Sequence, residues 1–420
     1  MAKPDPILII GAGLAGLTTA RLLTNHGIPN IVFEASQPQR SQGFSISLRD
    51  WGYTVLLDAL GGIPLRSLTR GVAPDRQVGR HGHVDLIMRD NRTGTVLVAP
   101  DPTTQPAIVR ANRNALRAWI ADCGAGDLDV RYNHRLRHVH HHHHQHSGGA
   151  TKVVVAEFDN GARHTGAFLV AADGVFSAVR AQVLPRVVPE VIPAVVYHGE
   201  FQLSRAEFDR DIAPLAGDSN ILAGVGDGFN TPITVCNLTR TRADLDWSYS
   251  RAARLGRGEE DALYRPNATA EEARQVPQAL FDELASLKLA EPWSKVLNEK
   301  AIQNHSVFQW TSRCVSLTKE EAMQAAAEGV VFVGDSWHAM PIFGGEGGCH
   351  ALVDAVELVS AVVRHEDDLD KAVKSYYENA WRRCNDAVKR SRARFYVLHR
   401  PMSEWHELAE KKASSSSAPG

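Results

Sequence analysis

The chain is poor in cysteine: 420 residues carry five, Cys123, Cys236, Cys314, Cys349 and Cys384, all far apart and never as Cys-x-x-Cys. An odd, scattered set excludes a disulfide framework and fits reduced thiols in a reducing compartment. An excess of one charge is also lacking, since 46 Lys and Arg stand against 48 Asp and Glu. That balance leaves no basic stripe for nucleic acid or an anionic membrane surface. No run approaches the ~18 apolar residues of a membrane span. The apolar stretch Ile7-Leu8-Ile9-Ile10 after Met1–Pro6 is too short for a signal peptide and has no small-residue cleavage site. The expectation is a soluble cytoplasmic protein, monomer or homodimer, whose Asn-x-Ser/Thr matches at Asn91, Asn237, Asn267 and Asn304 are chance.

With 44% hydrophobic and 22% charged residues, the composition is that of an ordinary globular protein. The length suggests about two domains, or one split by an insertion. There is no internal repeat. Residues 107–121 read as an Arg-rich amphipathic helix, and Val153–Phe158 with Phe168–Ala172 as a β-hairpin region around Asp159-Asn160-Gly161. Short β-like segments fill about 190–250, and Thr269-x-x-Glu272 fits a capping box. Residues 350–398 are mostly helical, and Ser414–Gly420 reads as a disordered tail. One low-complexity tract, His138 to His146, is expected to be an exposed hairpin loop and not a metal site, because adjacent imidazoles converge on an ion only when a fold aims them.

Chemistry concentrates in three segments. Ile7–Ile10 is all apolar, as in a parallel strand buried on both faces, and runs into Gly11-Ala12-Gly13-Leu14-Ala15-Gly16 before a helical pattern to His26. Gly11 suits the tight turn, Gly13 the close approach of a pyrophosphate, and Gly16 helix–strand packing. The helix N-terminus then offers N–H groups to phosphate. Glu34, about 18 residues beyond Gly16 at the end of a second strand, Ile31–Phe33, is placed to accept from a ribose diol. This unit alone does not separate FAD from NAD. The second segment is a strand running into Asp173-Gly174, then Ser177-x-x-Arg180. The third is Val330–Val333 with Gly334-Asp335-Ser336-Trp337-His338, then Gly344-Gly345-Glu346-Gly347-Gly348 and Asp354-Ala355.

Together these motifs resemble the single-component FAD-dependent aromatic hydroxylases related to p-hydroxybenzoate hydroxylase, with Gly-Glu-Gly-Gly-x-His most similar to their fungal secondary-metabolism branch. The resemblance implies an α/β fold: a Rossmann-type FAD domain, an inserted mixed β-sheet substrate domain and C-terminal helices. The segments would be 1–75, 101–185 and 300–365 for FAD, 76–100 and 186–299 for substrate, 366–412 helical, and 413–420 disordered. Expected FAD contacts are Gly11, Gly13, Leu14, Ala15, Gly16, Glu34, Gly43, Arg113, Asp173, Asp335, Gly345, Gly347 and Gly348. Asp173 and Arg180 inherit a role toward NADPH, although a surface ion pair is an equal alternative for Arg180. Asp335 suits a ribityl hydroxyl, and the N–H groups of Gly344–Gly348 suit charge on reduced flavin.

The implied reaction reduces FAD with NADPH or NADH, adds O2 at flavin C4a, and transfers the distal oxygen of the hydroperoxide to an electron-rich aromatic, indole, polyketide or terpenoid alkene. Rivals are a Baeyer–Villiger reaction on a ketone and, more remotely, a Rab-escort-like binding protein; no Trp-x-Trp-x-Ile-Pro halogenase signature occurs. Three departures mark this chain: Ile342 in place of a common proline (with Pro341 adjacent), Glu346 in place of Gln or Ala, and Cys349 in place of Asn. Glu346 is read as a helix-start carboxylate before a proton donor, and Cys349 as a packed thiol. His198 and Arg49 are weak substrate-side candidates, and Phe308-Gln309-Trp310 either lines the flavin edge or packs in the core.

Overall fold

The computed structural model describes residues 5–38, 45–101, 107–146, 149–256, 260–365 and 368–416. Ile7–Ile10, buried at every position, is the middle strand of a five-stranded sheet. Across that sheet the order is Val330–Phe332, Leu169–Ala171, Ile7–Ile10, Asn30–Phe33 and Val130–Arg131, every pairing parallel. Uniformly apolar strands need cover on both sides. The helices Leu14–Asn25 and Gly347–Arg364 pack together on one side. On the other, Phe158 of a three-stranded antiparallel sheet lies 4.5 Å from the Phe33 ring. Ile10 pairs with Ala171 and Ala171 with Phe332, so three strands from distant parts of the chain end level.

A second sheet of eight strands contains Ala194–Ser204 and Arg242–Ala252 as a long antiparallel pair. Met88–Asp90 joins it parallel to Ile221–Val225, and Ser306–Gln309 forms an edge. Alternation divides its faces. Val195, Tyr197, Trp247 and Tyr249 enter a core with Trp293. Their neighbours His198, Glu200, Asp246, Ser248 and Ser250 make the opposite face polar. The 30-residue helix Leu369–Leu398 joins the two sheets, with Tyr377 beside Trp337 and Phe395 beside Phe343.

Several local expectations change. Residues 108–112 are a strand paired with Ser45–Arg49, and the helix begins only at Arg113. Gly149–Phe158 turns back onto Arg163–Gly166, while Leu169–Ala171 goes to the parallel sheet. The histidine tract is no loop: Leu136–His146 is a strand paired with Gly149–Phe158. Thr269 and Glu272 do exchange capping bonds, but over a single helical turn. The last helix, Met402–Ser416, runs past Ala413, where the disordered tail was expected to begin; residues 417–420 lie outside the described residues.

Helix–strand closeness at the first turn is extreme: a Cβ on Gly16 would sit 1.9 Å from the Gly11 carbonyl oxygen. Gly16→Ala is therefore expected to cost about 1–3 kcal/mol by overpacking. A urea melt reads this as a lower midpoint, and a wild-type midpoint would contradict the packing.

Candidate active site

The three level strand ends put the three motifs side by side. Gly11 has φ +106°, and a Cβ there would lie 2.4 Å from the Ala172 carbonyl oxygen, so the first turn rests on the second segment. Gly13 differs, since its nearest neighbour in the Cβ direction is 4.0 Å away, which leaves the backbone open to a ligand. It precedes the helix Leu14–Asn25, whose N-cap carries no side-chain bond and leaves first-turn N–H groups for an anion. Gly334 is packed against Ala15, and a Cβ on Gly348 would meet Ile46 and Leu14. Gly347 lies near Asp335.

Glu34 accepts from the N–H groups of Ala12 and Ser36, each at 2.9 Å. Burial pushes its pKa up, but those two N–H groups and Arg117 overcome this and hold it below the ordinary value. It is an anion fixed beneath the glycine loop. Arg117 steadies the same loop, donating to the Ala12 carbonyl at 2.9 Å. Asn112 caps the helix of Arg113 by accepting from the Ala115 N–H, and its amide reaches the Cys236 carbonyl at 3.1 Å. Arg113 lies near enough to Asp335 for its charge to act on that carboxylate.

Asp335 is open to solvent although protein surrounds it on most sides, the setting of a cleft floor. Burial raises its pKa, with His338 and Arg113 opposing. Asp173 accepts from the Val179 N–H at 3.2 Å; burial raises it too, against bonds from Ser177 and Val179. Arg180 is not a surface ion pair. It is buried and donates to the Ser336 carbonyl at 2.6 Å and to the Val175 carbonyl, stapling the second motif to the third.

At the glycine-rich end, Gly345 has φ +64° and open space around it, and Gly347 and Gly348 begin the helix Gly347–Arg364. Arg49 donates to the Gly344 carbonyl at 3.3 Å and pairs with Glu346 at 3.2 Å. His350, 3.7 Å away, lowers the Glu346 pKa most, burial opposes, and Arg49 and Arg390 add to the lowering. The carboxylate is held as an anion at the start of the helix Gly347–Arg364. Burial pushes the Cys349 thiol up to about 11, so it is packed and unreactive. His198 bonds Ser248 at 3.2 Å and stands on the polar sheet face with Phe308, their rings 5.1 Å apart. Gln309 turns away to Arg265. Gly43 lies outside the described residues.

Sequence reasoning passed over Arg110, whose guanidinium donates to Ser47 at 3.1 Å and Thr234 at 3.3 Å between the sheets. It also passed over Arg383, which bonds Asp354 at 2.9 Å beneath the cleft. Arg110 stands three residues before Arg113 and was audible only as part of an Arg-rich pattern. Arg383 had no signal.

A glycine turn open to phosphate, an acid below it, and a second uncapped helix start across the cleft define a dinucleotide-binding flavoprotein of the Rossmann type. FAD fits this donor set: an acid below the first turn, a carboxylate at a strand tip and open backbone N–H groups at the far loop would hold it. Residues 5–187 match the model of an FAD binding domain. The FAD-dependent monooxygenase adaC of Aspergillus niger is 61% identical over 407 residues, 97% of this chain and 96% of that protein. The FAD-dependent monooxygenase nscC of Aspergillus fumigatus is 62% identical over 415 residues, 98% of this chain and all of its own length. The chain belongs to the family of FAD-dependent monooxygenases, and FAD is its cofactor. Among solved structures, HpxO of Klebsiella pneumoniae with FAD and uric acid matches at TM-score 0.69 and 21% identity, over 96% of this chain and 93% of that one. The 2,6-dihydroxypyridine-3-hydroxylase of Arthrobacter nicotinovorans matches at TM-score 0.70 and 17% identity, over 94% and 93%. At these identities the likeness is one of fold. No helix among the described residues is long and apolar enough to cross a membrane.

Asp335→Ala is expected to yield largely colourless protein with FAD affinity lowered about 10- to 100-fold, the worth of a hydrogen bond to a charged group. Full retention of flavin after gel filtration would refute its role. Glu34→Ala should weaken FAD more than it lowers the melting temperature, and an unchanged binding isotherm would remove the ribose contact.

Proposed function

We propose that this monooxygenase uses NAD(P)H and O2 to hydroxylate or epoxidise an electron-rich aromatic, indole, polyketide or terpenoid small molecule in fungal secondary metabolism. FAD would lie on the segments 1–75, 101–185 and 300–365, with substrate held by 76–100 and 186–299. Bound FAD supplies reductive activation of O2. The observation that carries the reading is the polar face of the eight-stranded sheet and its link to the glycine-rich loop. Arg110 reaches that face through Thr234, on the same ribbon whose Arg49 grips Gly344. Ser250 on that face bonds His399 at 2.8 Å, and the His399 ring stands 5.1 Å from Phe343.

This chain's own contribution is to bind, orient and exclude water. Burial holds His198 below the ordinary imidazole pKa, Asp246 opposing and Arg110 reinforcing, so it is neutral at pH 7 and serves as a hydrogen-bonding group. Arg110 is a cation whose guanidinium donates to the hydroxyls of Ser47 and Thr234, with Asp246 reached through Thr234. It suits an acidic hydroxyl or carbonyl oxygen of the substrate. Phe343, Ala194 and Val196 share an apolar cluster with Met340 and Met88, which shields the loop from water.

The test uses FAD-loaded protein, NADPH and 18O2 with 2-naphthol, indole and limonene as probes. The reading expects a product bearing one labelled oxygen as a hydroxyl or epoxide. NADPH consumption that yields only hydrogen peroxide with all three probes, or a labelled ester in a parallel reaction with cyclohexanone, would contradict it. Arg110→Met should raise KM for an accepted probe about tenfold or more at unchanged flavin content.

A further inference from the structure

Beneath the cleft lies a buried chain of charges that the proposed reaction does not use. Asp354, fully buried in the helix Gly347–Arg364, accepts the Gly334 N–H at 2.7 Å and the His338 Nε2 at 2.5 Å. Burial disfavours both charges, yet the pair wins: Asp354 is held far below the carboxylate range by His338 and Arg383, and His338 well above the imidazole range. Arg383, from the helix Leu369–Leu398, donates through Nη2 to Asp354 at 2.9 Å and to Glu357. Its Nη1 meets His350 Nδ1 at 3.0 Å. His350 faces Glu346 at 3.7 Å, and Glu346 pairs with Arg49.

One guanidinium is therefore linked, through Asp354 on one side and His350 on the other, to both corners of the third motif. Through Asp354 it fixes Gly334, which has φ +62° and precedes Asp335. Through His350 and Glu346 it reaches Arg49 and the Gly344 carbonyl. The same helix clasps the strand end above: Tyr377 accepts the Phe332 N–H at 2.9 Å and Tyr376 donates to the Phe332 carbonyl at 3.2 Å. We infer that Arg383 is a positioning residue for the cofactor, a clamp by which the C-terminal helix sets the distance between the Asp335 tip and the Gly344–Gly348 loop. This rests on the assignment of those two corners to FAD. A buried network has two partners to lose at once, so its removal should disturb both ends of the ligand together.

The test compares Arg383→Gln and Arg383→Lys with Arg392→Gln, a change on the same helix that breaks an exposed pair with Glu190 of the strand Glu190–Val191. Full-length apoprotein is titrated with FAD, and the melting temperature and visible flavin spectrum are recorded with and without FAD. Arg383→Gln is expected to raise the FAD Kd at least tenfold and shift the bound flavin spectrum, Arg383→Lys to recover most of the affinity, and Arg392→Gln to match wild type. Should Arg383→Gln fail to fold, the lysine variant carries the test, with a Kd rise of about threefold and a shifted spectrum expected. Parallel loss of melting temperature in apo and loaded protein, with Kd and spectrum unmoved, would make Arg383 purely structural and overturn the inference. If Asp335→Ala also leaves FAD affinity unchanged, the corner assignment itself has failed, and not only the clamp.

Discussion

Two parallel pairings govern the molecule. Leu169–Ala171 lies beside Ile7–Ile10 and Val330–Phe332 beside Leu169–Ala171, so residues separated by more than three hundred positions finish at one edge. Ligands of open parallel sheets collect at such carboxyl ends, where loops diverge and helix N-termini point inward. A slip of either pairing by one residue would turn every strand side chain to the other face. It would also part Gly11 from Ala172 and Arg180 from Ser336. The cleft is a consequence of register before it is a consequence of any one side chain.

Placement of charge follows. Along the cleft floor, Glu34 and Asp335 present carboxylates, the first on backbone N–H groups and the second near Arg113. Below it, Asp354, His338, Arg383 and Glu357 neutralise one another in a buried cluster. Such clusters are costly to desolvate and worth keeping mainly where geometry must be held. Across the gap, the large sheet keeps its apolar face inward on Trp247 and Trp293 and puts Asp246, His198 and Ser248 on the opposite face, which Arg110 reaches through Thr234. The two walls thus differ in kind: backbone and carboxylates on one, side-chain hydroxyls, imidazole and guanidinium on the other.

What could be read from sequence was what local spacing encodes. Ile7–Ile10, the glycine turn and Glu34 form a unit of fewer than thirty residues, and each step constrains the next. The strand ends at Asp173 and Asp335 were legible for the same reason. Residues whose role depends on a distant partner were not. Arg180 was left between a nucleotide role and a surface ion pair because nothing near it in sequence names the Ser336 carbonyl, 156 positions away. Ile108–Asn112 was absorbed into a helix because an apolar-apolar-Arg-Ala-Asn run fits either period when so short. The histidine tract misled by composition: its strand is held by backbone pairing to Gly149–Phe158, which side-chain identity does not announce.

The most direct measurement is a crystal structure of the purified protein loaded with FAD. Electron density should run from an adenosine ribose at Glu34, past Asp335, to an isoalloxazine ring against Gly345–Gly348. A dinucleotide lying elsewhere, or touching only the first glycine turn while the other two strand ends stay apart from it, would contradict the account.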